Sequence, residues 1–254
     1  MLAQERRNLI LERLQEEKSV VVATLSQQFK VSEETIRRDL ERLEKEGYAT
    51  KSYGGAVLNE NLNIDMPFNV RKKRNISGKQ RMADLASALV ESGEHIILDA
   101  STTSVFLAKA LKDKKNLTVI TNSIEIMVEL SEMPDWRIVS PGGNLQGGYL
   151  ALVGQRVLDS LSSYHVEKAF VSCKGLDMRG GFTDSNEEFA QAKRVMLNCA
   201  RERYLVADST KFNTVAFARI GDLSDIDAVV TDAAPGREWL DYFDAHDIRC
   251  IYPS

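Results

Sequence analysis

The feature that most constrains the fold is the regular alternation of short aliphatic runs with stretches of helical periodicity between residues 77 and 254. Within those stretches apolar residues recur at spacings of three and four, which is typical of helices packed on a core. Chains with this alternation fold as a mostly parallel sheet with helices on both faces. The aliphatic runs predict strands over 95–98, 117–121, 136–140, 169–172, 204–207, 228–231 and 248–252.

The strand predicted at 95–98 leads into a segment rich in hydroxyl groups. Ligands of open α/β sheets bind outside the carboxyl ends of the strands, so this position is a candidate site. Four hydroxyls follow Asp99 and open a helix, namely those of Ser101, Thr102, Thr103 and Ser104. Helix N-terminal amides beside hydroxyls favour a phosphate group. Asp99 is expected to accept bonds from sugar hydroxyls or to orient the loop. The alternative is that Ser101 or Thr102 only caps the helix.

Other predicted strand ends and helix starts also carry polar or flexible residues. The further candidates for contact with a small effector are Asn122, Gly142, Gly143, Lys174, Asn186, Glu187, Asp208 and Lys211. Amides and carboxylates bond hydroxyls, glycines allow close backbone approach, and a lysine neutralises phosphate. Each position also has an ordinary structural alternative as a cap or turn. None forms G-x-G-x-x-G, so no dinucleotide site is predicted.

Helix boundaries and one lysine in this region have two interpretations. Ser77-x-x-Gln80 and Ser185-x-x-Glu188 each have the form of a capping box at a helix start. Lys193 fits a solvated helix face as well as it fits a ligand contact.

The first 57 residues predict three short helices followed by a hairpin. The helices are expected over 3–17, over 22–29, and from Ser32 as N-cap to a stop at Gly47. This order is typical of a winged helix-turn-helix, in which the third helix enters a major groove. The residues expected to contact DNA are Ser32, Glu33, Thr35, Arg37, Arg38, Lys51, Tyr53, Gly54 and Gly55. The alternative is a helical bundle whose arginines are merely solvated.

The charge distribution divides the chain into unequal parts. The 33 basic and 37 acidic side chains give a net charge of −4, which argues against DNA binding by bulk charge. Residues 1–57 are neutral, 58–81 carry +4, and the remainder carries −8. We therefore predict a DNA-binding domain over 1–57, a linker over 58–76 and an effector domain over 77–254. The basic run at 71–74 either approaches DNA phosphates or forms a solvated turn.

Cysteine and histidine positions predict no metal, cofactor or triad. Cys173, Cys199 and Cys250 are far apart in sequence, and the three histidines are scattered. We expect a cytoplasmic protein without membrane contact for three reasons. The cysteines are isolated, no apolar run is long enough to span a bilayer, and the N-terminus has no signal-peptide core.

Several motifs together resemble the DeoR family of bacterial transcription regulators. The most specific are Ser32-x-x-Thr35-Ile36-Arg37-Arg38-Asp39-Leu40 and Gly54-Gly55-Ala56, and matching motifs occur at Asp99–Thr103, Thr121-Asn122-Ser123, Gly142-Gly143, Asn186-Glu187 and Asp208-Ser209-x-Lys211-Phe212. The resemblance implies a winged helix-turn-helix that binds operator DNA, joined to a larger ribose-5-phosphate-isomerase-like α/β domain that senses a phosphorylated sugar or related metabolite. It implies a homo-oligomer, a dimer or tetramer, acting most often as a repressor. Two departures are Ser101, where many members have glycine, and Lys174, where many have aspartate.

Two other functions are consistent with the residues. The first is a sugar-phosphate isomerase or deaminase with an appended helical module, for which Asp99, Glu187 and Asp208 are candidate general bases. The second is a sensor of a free polyol or sugar. Turnover by the purified protein separates the first from a regulator.

Overall fold

The computed structural model describes residues 1–59 and 66–253. The chain divides into two compact units, Met1–Arg74 and Asn75–Ser254. The predicted linker at 58–76 falls partly on residues 60–65, which lie outside the described residues.

The first unit is a winged helix-turn-helix, as predicted. Its core joins the three helices to the hairpin through residues such as Ile10, Leu25, Ile36 and Ala56. The three strands form an antiparallel sheet in the order β1-β3-β2. Its elements are α1 (Ala3–Glu17), β1 (Ser19–Val21), α2 (Val22–Phe29), α3 (Glu33–Lys45), β2 (Ala49–Ser52), β3 (Gly55–Leu58) and α4 (Phe68–Lys73).

Helix α4 occupies part of the segment that we expected to be a linker. Val70 is buried in the same apolar cluster as Ile10, and the Lys73 ammonium lies 2.9 Å from the Glu12 carboxylate on α1. The Arg71 guanidinium donates to the Met66 carbonyl at 2.9 Å. The basic run at 71–74 indicated a solvated segment, whereas Val70 and Met66 pack in the apolar core of the first unit.

A buried ion pair fixes α3 to α1. The Arg6 Nε lies 2.5 Å from the Asp39 carboxylate, and both side chains are almost fully buried. Asp39 therefore faces the interior, and its neighbours Arg37 and Arg38 face outward.

The second unit contains a seven-stranded parallel sheet in the order β15-β14-β12-β9-β4-β5-β6. The predicted alternating α/β domain is confirmed. Its elements are α5 (Ile76–Ser87), β4 (His95–Leu98), α6 (Thr102–Ala110), β5 (Thr118–Thr121), α7 (Ile124–Leu130), β6 (Arg137–Val139), β7 (Asn144–Gln146), β8 (Ala151–Val153), α8 (Gln155–Leu161), β9 (Val166–Val171), β10 (Gly175–Asp177), β11 (Gly181–Asp184), α9 (Glu187–Asn198), β12 (Ala200–Val206), β13 (Ala218–Gly221), β14 (Ala228–Val230), α10 (Arg237–Ala245) and β15 (Arg249–Ile251).

Five short strands were not predicted. Strands β7 and β8 form a hairpin, and β10, β11 and β13 form a small antiparallel sheet. Each has three or four residues, which is too few to show an alternating pattern. Val153 ends β8, and α8 begins two residues later at Gln155.

Both predicted capping boxes in this unit are wrong. Helix α5 is capped by Asn75, whose Oδ1 accepts from the Gly78 amide at 3.2 Å. Helix α9 is capped by Asn186, whose Oδ1 accepts from the Glu188 amide at 2.8 Å. In both cases a nearby asparagine supplies the acceptor in place of the serine.

Candidate functional site

The carboxyl ends of five adjacent strands bring the predicted effector residues into one row. Strands β12, β9, β4, β5 and β6 are consecutive neighbours in the sheet. Leu98 at the end of β4 lies in register with Phe170 on β9 and Thr121 on β5. The segments that follow these strands contain, in sheet order, Asp208, Lys174, Asp99, Asn122 and Gly142.

Asp99 organises the centre of this edge. Its Oδ1 accepts from the Ser104 hydroxyl at 2.5 Å and from the Ser101 amide at 3.2 Å. Its Oδ2 accepts from the Ser172 amide at 3.0 Å, at the end of β9. The side chain is completely buried and both oxygens are engaged within the chain. Of the two roles we predicted, this geometry favours orienting the loop.

Lys193 is buried beside Asp99, so of the two interpretations that the sequence left open the solvated helix face is wrong. Its ammonium lies 2.5 Å from Asp184 Oδ2 and 3.3 Å from Asp99 Oδ2. It also donates to the Ser172 carbonyl at 2.7 Å. Burial alone lowers the pKa of Lys193, but the charges of Asp184 and Asp99 outweigh it and raise the pKa above its ordinary value. The side chain therefore stays charged and ties three segments together.

The sequence contained a signal for this lysine. Lys193 lies four residues after Phe189 and three before Met196, and both of these are buried on α9. That spacing places Lys193 on the buried face of the helix. A cation on an apolar face indicates a buried acidic partner.

The hydroxyl groups at the start of α6 divide into two pairs. The Ser101 hydroxyl accepts from the Ser104 amide at 3.0 Å and donates to the Ser104 hydroxyl at 3.0 Å. Ser101 is thus the N-cap, as the structural alternative held. Thr102 and Thr103 form the first turn, and neither hydroxyl bonds another residue in the part of the chain that the structure describes. These two hydroxyls remain available to a ligand at the N-terminus of α6.

Asn122 lies beside the next strand end with one unpaired oxygen. Its Nδ2 donates to the Leu152 carbonyl at 2.9 Å, which holds β8 against this edge. Its Oδ1 is buried and has no hydrogen-bond partner among residues 1–59 and 66–253. An unpaired buried acceptor is costly, so Oδ1 is suited to a hydroxyl donor on a ligand.

Glycines follow β6, and the hairpin closes one side of the edge. Gly142 and Gly143 are exposed with φ of 72° and 109°, and a Cβ at Gly143 would lie 2.7 Å from the Val153 carbonyl oxygen. The ring of Tyr149 lies 5.0 Å from that of Phe189, and both pack near Ala100. The N-terminus of α9, with Asn186 and the exposed Glu187, thus lies near the loop that follows β4.

Two lysines give the other side of the edge a cationic character. The Lys211 ammonium lies 4.0 Å from Asp208 Oδ2, and Asp208 Oδ1 accepts from the Thr210 amide at 3.0 Å. Lys174 is half-buried, and its amide donates to the Thr183 carbonyl at 2.8 Å. Burial raises the pKa of the neighbouring Cys173 thiol to about 12, so it is protonated at neutral pH.

The predicted DNA-contact residues lie on α3 and on the hairpin. The Arg37 and Arg38 side chains are 52% and 77% exposed and pair with Glu33 and Glu34, one turn earlier. Tyr53 at the hairpin tip is fully exposed. The structure also gives two other members of the set structural positions. Ser32 caps α3 and accepts from the Thr35 amide at 3.2 Å. A Cβ at Gly55 would overlap the Val20 carbonyl oxygen.

Lys51 and Gly54 complete the hairpin. The Lys51 ammonium lies 3.0 Å from Glu41 on α3, and this hydrogen bond lowers the pKa of Glu41. Gly54 adopts φ of 78°, a conformation that favours glycine.

Two further features of the described residues bear on metal binding and on membrane insertion. Within the described ranges, no group of three or more His, Cys, Asp or Glu side chains is arranged to hold a metal ion. No helix in these ranges is long and apolar enough to cross a membrane.

Among solved structures, the chain is similar to ribose 5-phosphate isomerase A from Methanocaldococcus jannaschii. The two share 16% identity with a TM-score of 0.40, over 54% of this chain and 55% of that chain. The chain is also similar to eIF2B delta from Chaetomium thermophilum, with 12% identity and a TM-score of 0.45, over 64% of this chain and 58% of that chain.

Sequence comparisons assign the family. Residues 6–61 match the DeoR-like helix-turn-helix domain, and residues 74–233 match the DeoR C terminal sensor domain. The chain is 42% identical to the uncharacterized HTH-type transcriptional regulator YulB of Bacillus subtilis, over 92% of this chain and 90% of that protein. It is 35% identical to the L-fucose operon activator of Escherichia coli, over 89% of this chain and 94% of that protein. It is 32% identical to the transcriptional repressor GlcR of Bacillus subtilis, over 99% of this chain and 96% of that protein. The chain therefore belongs to the DeoR family of helix-turn-helix transcriptional regulators.

Proposed function

We propose that this protein is an operator-binding repressor of a sugar or polyol operon, relieved by a phosphorylated sugar or related metabolite. The metabolite binds at the carboxyl edge of the parallel sheet. The observation that carries this proposal is the pair of unbonded hydroxyls, Thr102 and Thr103, in the first turn of α6 beside the unpaired Asn122 Oδ1.

The chemistry of the edge supports the ligand class. A helix N-terminus with two available hydroxyls favours a phosphate group. Asn122 Oδ1 accepts from a sugar hydroxyl, while Asn186, Glu187 and Asp208 supply further polar groups along the edge. Lys174 and Lys211 add positive charge for an anionic ligand.

The names of relatives support the same class. One relative is an L-fucose operon activator, and another, 29% identical over 96% of this chain, is a glycerol-3-phosphate regulon repressor of Escherichia coli. A phosphorylated sugar or polyol is consistent with both names.

The DNA-binding surface in this proposal comprises the exposed face of α3 and the hairpin. The ion pairs of Arg37 with Glu33 and of Arg38 with Glu34 are exposed, and such pairs contribute little to stability. Both guanidinium groups are therefore able to exchange these partners for phosphates or guanine edges. We infer a homo-oligomer, a dimer or tetramer, on paired half-sites in the cytoplasm.

We favour a regulator over a sugar-phosphate isomerase or deaminase. Asp99, one candidate general base, has both oxygens engaged within the chain. Asp208 uses only Oδ1 for its bonds to the Thr210 amide and hydroxyl, and Glu187 is exposed, so Asp99 is the one candidate base whose two oxygens are both occupied. General bases need a free oxygen within reach of the substrate.

The DNA-binding half is tested by fluorescence anisotropy with labelled fragments from upstream of the protein's own gene. We expect Arg37→Ala with Arg38→Ala to weaken binding by at least about 30-fold, since each arginine–base contact contributes about 1–3 kcal/mol and the two together about 2–6 kcal/mol. Arg201→Ala with Arg237→Ala removes the same charge from exposed sites in the second unit and is the control. Equal effects of the two double variants would exclude α3 as the recognition helix.

The ligand-binding half is tested by a thermal-shift screen of sugar phosphates, since a ligand that binds the folded state raises its apparent stability. Thr102→Ala with Thr103→Ala should abolish the shift and leave DNA affinity unchanged. Ser162→Ala with Ser163→Ala removes two hydroxyls that bond carbonyls at the end of α8 and serves as the control. An undiminished shift in the threonine variant would remove these hydroxyls from the site.

A further inference from the structure

The carboxylate of Asp232 connects the carboxyl edge of the parallel sheet, where we place the ligand, to Asn75, the first residue of the second unit. Asp232 follows β14 and is buried. Its Oδ1 accepts from the Ser209 amide at 2.7 Å, and its Oδ2 accepts from the Asn75 Nδ2 at 3.1 Å. Its carbonyl accepts from the Arg81 guanidinium on α5 at 3.2 Å. Burial raises the pKa of Asp232, but the hydrogen bonds from Ser209 and Asn75 outweigh it and lower the pKa, so the side chain is ionised at neutral pH.

Ser209 connects this carboxylate to the ligand edge. It begins the short turn Ser209–Lys211 at the end of β12, directly after Asp208. Asp208 and Lys211 are both residues that we assign to ligand contact. Any shift of this turn on ligand binding acts on the hydrogen bond between the Ser209 amide and Asp232.

Asn75 connects the same carboxylate to the boundary between the two units. It is the first residue of the unit Asn75–Ser254 and directly follows Arg74, the last residue of the DNA-binding unit. Its Oδ1 caps α5, and its backbone adopts φ of 47°, which is uncommon outside glycine. Both side-chain polar atoms of this boundary residue are therefore engaged, and one of them depends on Asp232.

We propose that Asp232 is a coupling residue, which transmits ligand occupancy from the Ser209–Lys211 turn to Asn75 and so to the chain that enters the DNA-binding unit. The inference rests on the proposed function and adds the route by which the two sites communicate. A ligand shifts DNA affinity only through an element whose two arrangements it binds unequally. The segments joined at Asp232 form such an element, and both carboxylate oxygens of Asp232 are engaged within the chain.

The hydrogen-bond pattern gives a specific test by exchange of the two side chains. In Asp232→Asn the new amide has one acceptor and one donor end. Either orientation places its NH₂ group against a donor, the Ser209 amide or the Asn75 Nδ2. One of the two bonds is therefore lost. Combining Asp232→Asn with Asn75→Asp restores a donor–acceptor pair at both ends and keeps an acceptor for the Gly78 amide.

The readout is the ratio of DNA dissociation constants with and without ligand, measured by anisotropy. The probe is whichever of ribose 5-phosphate, fructose 6-phosphate and glycerol 3-phosphate gives the largest thermal shift with the unmodified protein. We expect Asp232→Asn to bring this ratio within about twofold of one, while calorimetric ligand affinity stays within about threefold. The exchange variant should regain most of the original ratio, for which about 5- to 150-fold is typical. The control is Asp227→Asn. Asp227 directly precedes β14, and its carboxylate accepts from the Arg203 amide at 2.7 Å.

The outcomes separate this inference from the function on which it rests. If none of the three probes changes DNA binding by the unmodified protein, the proposed function fails. If the unmodified protein responds and Asp232→Asn responds equally, the coupling role is overturned. An exchange variant that folds yet stays uncoupled overturns it too. Should Asp232→Asn fail to fold, Asn75→Gly, which keeps the positive φ and removes the Asp232 bond, must lose coupling or the proposal is wrong.

Discussion

Replacement of Lys193 by methionine tests whether the buried cluster holds the ligand edge together. The change removes the cation that pairs with both Asp99 and Asp184, and the lysine side chain is buried. Removing one partner of a buried ion pair costs about 3–5 kcal/mol, because the remaining charge is left uncompensated. We therefore expect Lys193→Met to lower the free energy of unfolding by about that amount.

The assay is urea denaturation followed by tryptophan fluorescence. Trp136 and Trp239 are the two tryptophans of the chain, and both lie in the second unit. The control is Lys109→Met, which removes a half-exposed lysine 3.5 Å from Glu129 on the surface and should cost no more than about 1 kcal/mol.

The pH dependence of this effect follows from the direction of the pKa shift. The folded-state pKa of Lys193 is raised, so its contribution is fully present below the ordinary lysine pKa of about 10.4 and is lost as pH rises through the folded value. The difference between Lys193→Met and the unmodified protein should thus stay constant from pH 7 to 9. Equal costs for the two lysine variants would refute the reasoning.

Three further predictions concern other buried groups. Thr231→Val removes a buried hydroxyl that has no hydrogen-bond partner in the described ranges, so it should be neutral or stabilise the protein by about 1 kcal/mol in the same denaturation assay. The Thr183 hydroxyl donates to the Gly175 carbonyl and accepts from the Ala216 amide, so Thr183→Val should cost about 1–3 kcal/mol. Gly55→Ala forces a Cβ onto the Val20 carbonyl and should destabilise the hairpin by about 1–3 kcal/mol, seen as a lower melting temperature by circular dichroism. Cys173, with a pKa of about 12, should resist iodoacetamide at pH 8 until urea unfolds the chain, as followed by mass spectrometry.

Periodicity was sufficient to locate the principal helices and strands. Helices α1 and α2 have the bounds predicted from apolar spacing, and β4 matches its aliphatic run residue for residue. Their apolar patterns continue over enough residues to be distinct. The hairpin of β7 and β8 has three-residue strands, and tertiary contacts rather than local pattern determine them.

The site was predictable as a row of strand ends but not as a network. The rule for parallel sheets placed Asp99 and Asn122 at one edge, because it depends only on strand direction. The division of roles depends on pairings distant in sequence. Asp99 meets Lys193 across 94 residues, and Asp232 meets Asn75 across 157. Such contacts follow from the packed fold and have no local signature.

The most direct test of the central claim titrates labelled operator DNA with the full chain in the presence and absence of a saturating sugar phosphate. Saturation is established independently by calorimetry. We expect the ligand to raise the DNA dissociation constant at least fivefold, and Thr102→Ala with Thr103→Ala to remove this effect without changing DNA affinity in the absence of ligand. An unchanged dissociation constant with the ligand site demonstrably saturated would contradict it.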